Sequence, residues 1–438
     1  MTLDEARRYV LERARRRGIQ AEVLGLRDRE LTLRAHGGRL EQLTRATQAG
    51  VGIRVVVRER VGYAYSEHLS PEALDWVLQE AEENAALQHE AVGFLPEGTD
   101  LGEWGRLGQS FDASMERKQQ ATLDMEAGLR ADPRTHRVPA AIYTEREREV
   151  SLGSTEGAAG RYRTGVAGIG ATVVMREGDS IKQSADMDWS VRFDALDPGR
   201  TSLRLVERTA RLLDARPLRT GRYVAYFEPK AFAQLLWAFW PLWSGKAVVE
   251  GKSRLVGRLG ERIASELVTL VDDPTLPEGL ASRPFDAEGT SARPVVLVER
   301  GVLCSYLTNS QTAHALEHPN TGHASRGYRG VLGVAPTNLY VKPADGLRRE
   351  RGVVVTELMG VHAGANPITG EFSVQGLGLW VDGGEVVHAV EDFAIAGDFL
   401  ALLERVGAVG TDLDWWFAGT AFGAPTVEVG DLSFAGGE

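Results

Sequence analysis

Three side chains in one short stretch have the types and spacing to hold a metal. His314, Glu317 and His318 spell H-x-x-E-H. A helix would turn both imidazoles to one face with the carboxylate beside them. Zinc-assisted hydrolysis needs three protein donors and an open fourth position. The triplet would therefore require a further carboxylate from elsewhere, and Pro319 ends the helix at once. On this alternative the chain is a stand-alone metallopeptidase using His314, Glu317 and His318; otherwise the two are an exposed, helix-terminal histidine pair, with His323 beyond the Pro-Asn turn. A second stretch, His89-Glu90-Ala91-Val92-Gly93-Phe94, starts as a zincin helix does. It carries Gly93 and Phe94 where the second imidazole belongs, so no metal is expected there. The carboxylate pairs Asp272/Asp273 and Asp286/Glu288 could hold a hard cation, although turn and surface roles are expected of them.

Other chemistries find less support. There is no G-x-S-x-G elbow. Gly168-Ile169-Gly170 lacks a third glycine at dinucleotide spacing and reads as part of a hairpin. Cys304, the only cysteine, follows the turn-like Glu299-Arg300-Gly301 in a strand pattern and is expected to be buried. One free thiol excludes an intrachain disulfide and suits a reducing, cytoplasmic setting. The net charge of −11 argues against direct nucleic-acid binding, which needs a concentrated basic patch. The N-terminal stretch has no apolar signal core, and the most apolar run, residues 235–243, is far shorter than the ~20 residues of a membrane span.

The 438 residues exceed one core, and a prior of roughly 100–200 residues per domain gives two or three. Thr2 and Glu5 have capping-box spacing, so a helix is expected over residues 3–17, stopped by Gly18. Short alternating runs between Ala21 and Tyr65, with turns at Gly37-Gly38 and Glu59-Arg60, predict an antiparallel meander. Ser70-Pro71 opens a second helix to about Leu87. Residues 89–109 read as a Gly/Pro-rich connector. A helix over 115–130, strands over 138–192 and a helix over 201–216 follow. The remainder is strand-rich, with helices near 229–240, 310–317 and 398–405. The expected fold is α+β: an N-terminal unit (1–88), the connector, a middle region (110–217) packed with the first as one domain, and a β-rich C-terminal domain (218–438).

Several C-terminal stretches, in order and at similar spacing, resemble the TldD/PmbA family, with its TldE (PmbA) branch the nearer. They include Glu261 to Pro274, Gly279 to Gly289, Thr321-Gly322-His323-Ala324, Val354 to Gly360, and Ile368-Thr369-Gly370-Glu371-Phe372-Ser373 through Trp380 to Gly397. The N-terminal helix-meander-helix pattern and Gly153-Ser154-Thr155-Glu156-Gly157 fit the same family, so the resemblance spans essentially the whole chain. It implies a two-subunit peptidase. One subunit, TldD-like, binds zinc through H-E-x-x-x-H and a later cysteine; the other shares the fold without those ligands. The pair is associated with processing modified peptides and degrading unfolded ones, and the old label "modulator of DNA gyrase" is genetic.

By that resemblance, the zinc helix should lie shortly before Glu250-Gly251-Lys252-Ser253. There the chain reads Ala233 to Trp243 without His, Glu or Asp, and Asp414 to Phe422 has no cysteine. The resemblance therefore implies a TldE-like, non-catalytic subunit with no metal or cofactor of its own. Zinc would sit in a TldD-like partner, and the chain in isolation could pair with itself. Aromatics fill both vacated stretches: Trp237, Trp240 and Trp243 at i, i+3 and i+6, and Trp415-Trp416-Phe417. They either fill the core or form a wall that binds peptide or partner.

Overall fold

Capping chemistry sets the first elements. The computed structural model describes residues 1–89, 93–107 and 111–437. In α1 (Leu3–Arg17) Thr2 and Glu5 close the capping box reciprocally, and Gly18 ends the helix at φ 67°. The chain then runs through β1 (Gln20–His36), β2 (Arg39–Val57) and β3 (Arg60–Ser66), an antiparallel meander. The strands are far longer than the apolar runs suggest, because pairing continues through their polar middles. The second turn sits at Arg58-Glu59, both at positive φ, one residue earlier than expected. Ser70 caps α2 (Pro71–Ala86), with Pro71 at its first turn.

The expected connector carries a strand, β4 (Asp100–Arg106), which pairs in parallel with a later strand. Ser114 caps α3 (Met115–Arg130). β5 (Thr135–Ser154), β6 (Ala159–Glu177) and β7 (Ser180–Ser190) complete one seven-stranded sheet in the order β3-β2-β1-β5-β6-β4, with β7 also on β6. Residues before and after the connector thus share one sheet. α4 (Pro198–Ala210) starts earlier than expected, because Asp197 accepts from the Arg200 N–H and proline suits the first turn, and it ends at Ala210 rather than 216. One sheet face is covered by α1 and α2 at one end and by α3 and α4 at the other. On the opposite face Leu24, Leu26, Val150, Leu152 and Tyr162 meet Phe285 and Tyr328 of the C-terminal half.

That half holds two larger sheets and a two-stranded ribbon, Ala324–Ser325 with Gly333–Val334. One, of seven strands, includes Gly221–Phe227, Arg351–Met359, Glu371–Asp382 and Glu385–Asp398. The other, of six, includes Leu270–Asp272, Asn338–Val341, Ala421–Ala424 and, at its edge, Asp414–Phe417. The apolar α5 (Pro229–Phe239) packs against Arg351–Met359 of the first sheet and the last two strands of the second.

A buried ionic cluster joins the halves. Arg54 on β2 reaches Glu22 on β1 at 3.0 Å and Glu288 at 2.8 Å, and Arg326 reaches Glu22 at 2.7 Å. Glu288 also accepts from the N–H and hydroxyl of Ser310. Asp286 accepts backbone N–H groups from Glu288, Thr290 and Ala324. Burial, then Glu288, pushes its carboxyl up to about 6. The surface role expected for Asp286 and Glu288 is therefore corrected: both are interior, held by main-chain donors and by Arg54. At Gly52 an added Cβ would lie 2.3 Å from the Tyr328 carbonyl oxygen, so only glycine permits this approach.

Candidate functional site

The two aromatic stretches meet. Trp237 on α5 and Trp416 on the strand Asp414–Phe417 pack edge to face with ring centroids 5.2 Å apart. Alternation along that strand sends Trp415 the other way, against Tyr340, where it joins the apolar cluster of Trp189 and Phe417. The five tryptophans do not form one wall. The α-helix ends at Phe239 and tightens into a 3-10 turn over Trp240–Trp243, with Pro241 in it. That turn rotates Trp243 into the core, where it is fully buried near Phe399. Trp240 is partly buried against the same core.

Trp415, Trp416 and Phe417 line a cavity of about 330 Å³ together with Asp186, Met187 and Trp189 of β7, Lys230 and Gln234 of α5, Arg208 of α4 and Glu357. Lys230 Nζ donates to Asp186 Oδ1 at 2.6 Å, and Arg204 Nε to Asp186 Oδ2 at 3.0 Å. Burial alone would raise the Asp186 carboxyl, but Lys230 and Arg204 outweigh it and hold it below its ordinary value. Arg208 Nε lies 3.6 Å from Glu357 Oε1, too far for a hydrogen bond. Beside the cavity, burial pushes the Glu228 carboxyl up, against the pull of Arg208. Gln234 Oε1, Glu357 Oε1 and Arg208 Nε are buried without hydrogen-bond partners among the described residues. The chamber thus combines an aromatic side with polar groups still able to bond a guest.

A zinc ion does not fit this donor set. No His or Cys lines the cavity, its two carboxylates face Lys230 and Arg208, and Lys230 would repel a dication. The H-x-x-E-H triplet is no better arranged. Asn309 caps a helix that covers only Ser310–Ala315, and Glu317 sits at φ 49°. The helix expected to carry His314 and His318 on one face therefore stops before His318. His314 packs edge-on against Phe94, while His318 contacts the Pro319 carbonyl and Ser305. In the other histidine stretch Glu90, Ala91 and Val92 lie outside the described residues. Among the described residues no three His, Cys, Asp or Glu side chains converge as metal ligands.

His323 is fully buried between Asp272 Oδ1, at 2.9 Å, and Thr321 Oγ1, at 3.0 Å. Asp272 also accepts from Thr337, and Thr321 Oγ1 from the Thr308 N–H. The group pins loops in the interior, so Asp272 has no surface role, whereas Asp273 does cap a turn at Thr275. Cys304 is exposed rather than buried, because its short strand ends at Leu303. Sequence reading missed Asp186, Trp189, Arg208, Lys230, Gln234 and Glu357. The Asp186-Met187-Asp188-Trp189 alternation was the one local hint; nothing in spacing places it beside α5.

The fold, rather than the cavity, is that of a metalloprotease-like protein. The sequence model for the PmbA/TldA metallopeptidase C-terminal domain matches residues 220–436, that for domain 1 matches 21–85 and that for the central domain 109–213. The chain belongs to the PmbA/TldD metallopeptidase family. It is 26% identical over 430 residues to the metalloprotease PmbA of Escherichia coli O157:H7, covering 94% of this chain and 92% of that one. The crystal structure of a putative modulator of DNA gyrase from Thermotoga maritima superposes with a TM-score of 0.89 at 29% identity, over 99% of this chain and all (100%) of that one. TldE from Thermococcus kodakarensis gives 0.85 at 22% identity, over 98% and 100%, a likeness of fold. No described helix is long and apolar enough to cross a membrane.

Proposed function

We propose that this chain is the non-catalytic, TldE-like member of a two-subunit zinc peptidase, and that its refilled site receives flexible peptide. The observation that carries the reading is the meeting of Trp237 and Trp416 at 5.2 Å. The stretches that should supply metal ligands by family resemblance do come together, and they bring aromatic rings and one amide, Gln234. Hydrolysis would then rest on zinc held by a TldD-like partner. The tryptophans of the cavity offer large, rigid surface to a guest at low entropic cost. A cytoplasmic setting follows from that role.

Mixing the purified chain with a TldD-like zinc protein from the same organism, followed by gel filtration and peptidase assay, tests this. A stable hetero-oligomer is expected, with cleavage of unfolded peptide requiring both chains. Separate elution, with the partner cleaving alone, would refute it. Stoichiometric zinc in the isolated chain that is lost on His314→Ala would instead establish the stand-alone metallopeptidase. A homodimer that binds peptide yet ignores the partner would make it a peptide-binding protein.

A further inference from the structure

A second chamber, of about 170 Å³, adjoins the aromatic one, and Phe417 lines both. Its character is opposite. Arg146, Arg148 and Arg283 line it with Ser282, Ser325 and Thr337, and no Asp or Glu does. In a chain of net charge −11 such a segregation of cations is a specific feature.

The guanidinium donors leave room for an anion. Arg148 and Arg146 share one carboxylate, Asp28, with Nε–Oδ1 2.7 Å for the first and Nη2–Oδ2 2.6 Å for the second. Glu30 lies a further 3.4 Å from Arg146. Arg283 has only the Gly322 carbonyl on Nη2, and its Nε is buried with no partner among the described residues. Asp286 feels the charge of Arg283 at a distance, but its oxygens bond three backbone N–H groups and leave the Arg283 donors free. Among the described residues Arg283 therefore has no carboxylate at ion-pair distance, whereas Arg146 and Arg148 do.

Strand β5 gives the scale. Ile142 lines the aromatic chamber and Arg146 the basic one. Side chains four residues apart stand on the same face of a strand, roughly 13 Å apart at ~3.3 Å per residue. We propose that the two chambers form one bipartite groove for an extended peptide of about four residues, whose apolar side chain enters the aromatic chamber and whose carboxylate binds at Arg283 and Arg146. The inference rests on the reading that the aromatic chamber receives peptide, and adds that the groove selects for an acidic end.

Calorimetry on the whole chain with two probes tests it: acetyl-phenylalanyl-trialanine with a free C-terminus, and the same peptide amidated. The free acid should bind about ten-fold tighter, as a charge-assisted hydrogen bond predicts. Arg283→Met, and independently the exposed Arg146→Gln, should erase that preference, bringing the acid down to the affinity of the amide. Trp416→Ala should weaken both peptides. Inorganic phosphate should displace the acid and leave the amide bound. Equal binding of acid and amide would overturn the inference and spare the peptide-binding reading. Binding of neither would sink that reading, and the inference with it. Arg283-dependent phosphate binding without a preference for the acid would assign the chamber to a free oxyanion and overturn the peptide carboxylate.

Discussion

Replacing Arg54 by methionine isolates the contact that joins the two halves. Its guanidinium is fully buried between Glu22 and Glu288, at 3.0 and 2.8 Å. Methionine fills part of the volume and removes the charge. Glu22 keeps Arg326 at 2.7 Å, but Glu288 is left with only the N–H and hydroxyl of Ser310. Breaking one partner of a buried pair typically costs ~3–5 kcal/mol, because the remaining charge stays desolvated. One carboxylate loses its contact ion pair here and keeps only the more distant charge of Arg326, so a loss of about 3–5 kcal/mol is expected, from one orphaned ion rather than two. Equilibrium urea unfolding followed by tryptophan fluorescence reads it, with the midpoint taken separately for each transition. The double variant Arg54→Met/Glu288→Gln should recover part of the loss by removing the orphaned charge. A single-variant loss under about 1 kcal/mol, or a double variant worse than the sum of the singles, would show that water rather than Arg54 satisfies these carboxylates.

Three further outcomes are expected. Asp286 has its folded value at about 6, above the reference value of 3.8. Its contribution to stability therefore grows as pH falls through about 6 and is full below the unfolded value, so the advantage of the native chain over Asp286→Asn in urea should widen from pH 7 to pH 5; a narrowing would contradict this. Trp243→Ala should cost about 3–5 kcal/mol in the same assay, while the partly buried Trp416 should cost less than half as much on truncation, and equal losses would remove the distinction between core and cavity tryptophans. Gly52→Ala must push apart two backbones that an added Cβ would bring to 2.3 Å, and it should increase proteolysis between the halves without unfolding either half's helices by circular dichroism.

Local chemistry was legible in the sequence, and long-range placement was not. The capping box of α1 and the Ser114 start of α3 declare themselves within four residues. β4 does not, because its parallel pairing with β6 depends on residues some sixty positions later and its Gly102 and Gly105 read as loop. Glu22 and Arg54 sit in alternating strands whose polar positions ordinarily face water; only Glu288 and Arg326, distant in sequence, explain their burial. For the candidate site, Trp237, Trp415 and Trp416 were legible as the occupants of two distant stretches that now meet. Trp243 separated from them because Pro241 follows the last helical turn and swings the chain inward. Lys230, Asp186 and Glu357 reach the cavity from three different elements, which spacing along one chain cannot express.

The pair between Glu22 and Arg326 spans 304 residues. During synthesis at ~5–20 residues per second, β1 and β2 leave the ribosome some tens of seconds before their counter-ions exist. Through that interval Glu22 and Arg54 have only one another, and the sheet face around Leu24 and Leu26 lacks its cover from Phe285 and Tyr328. The N-terminal half is therefore built to wait in a hydrated, incompletely packed state. Truncation before residue 285 should leave it in that state permanently.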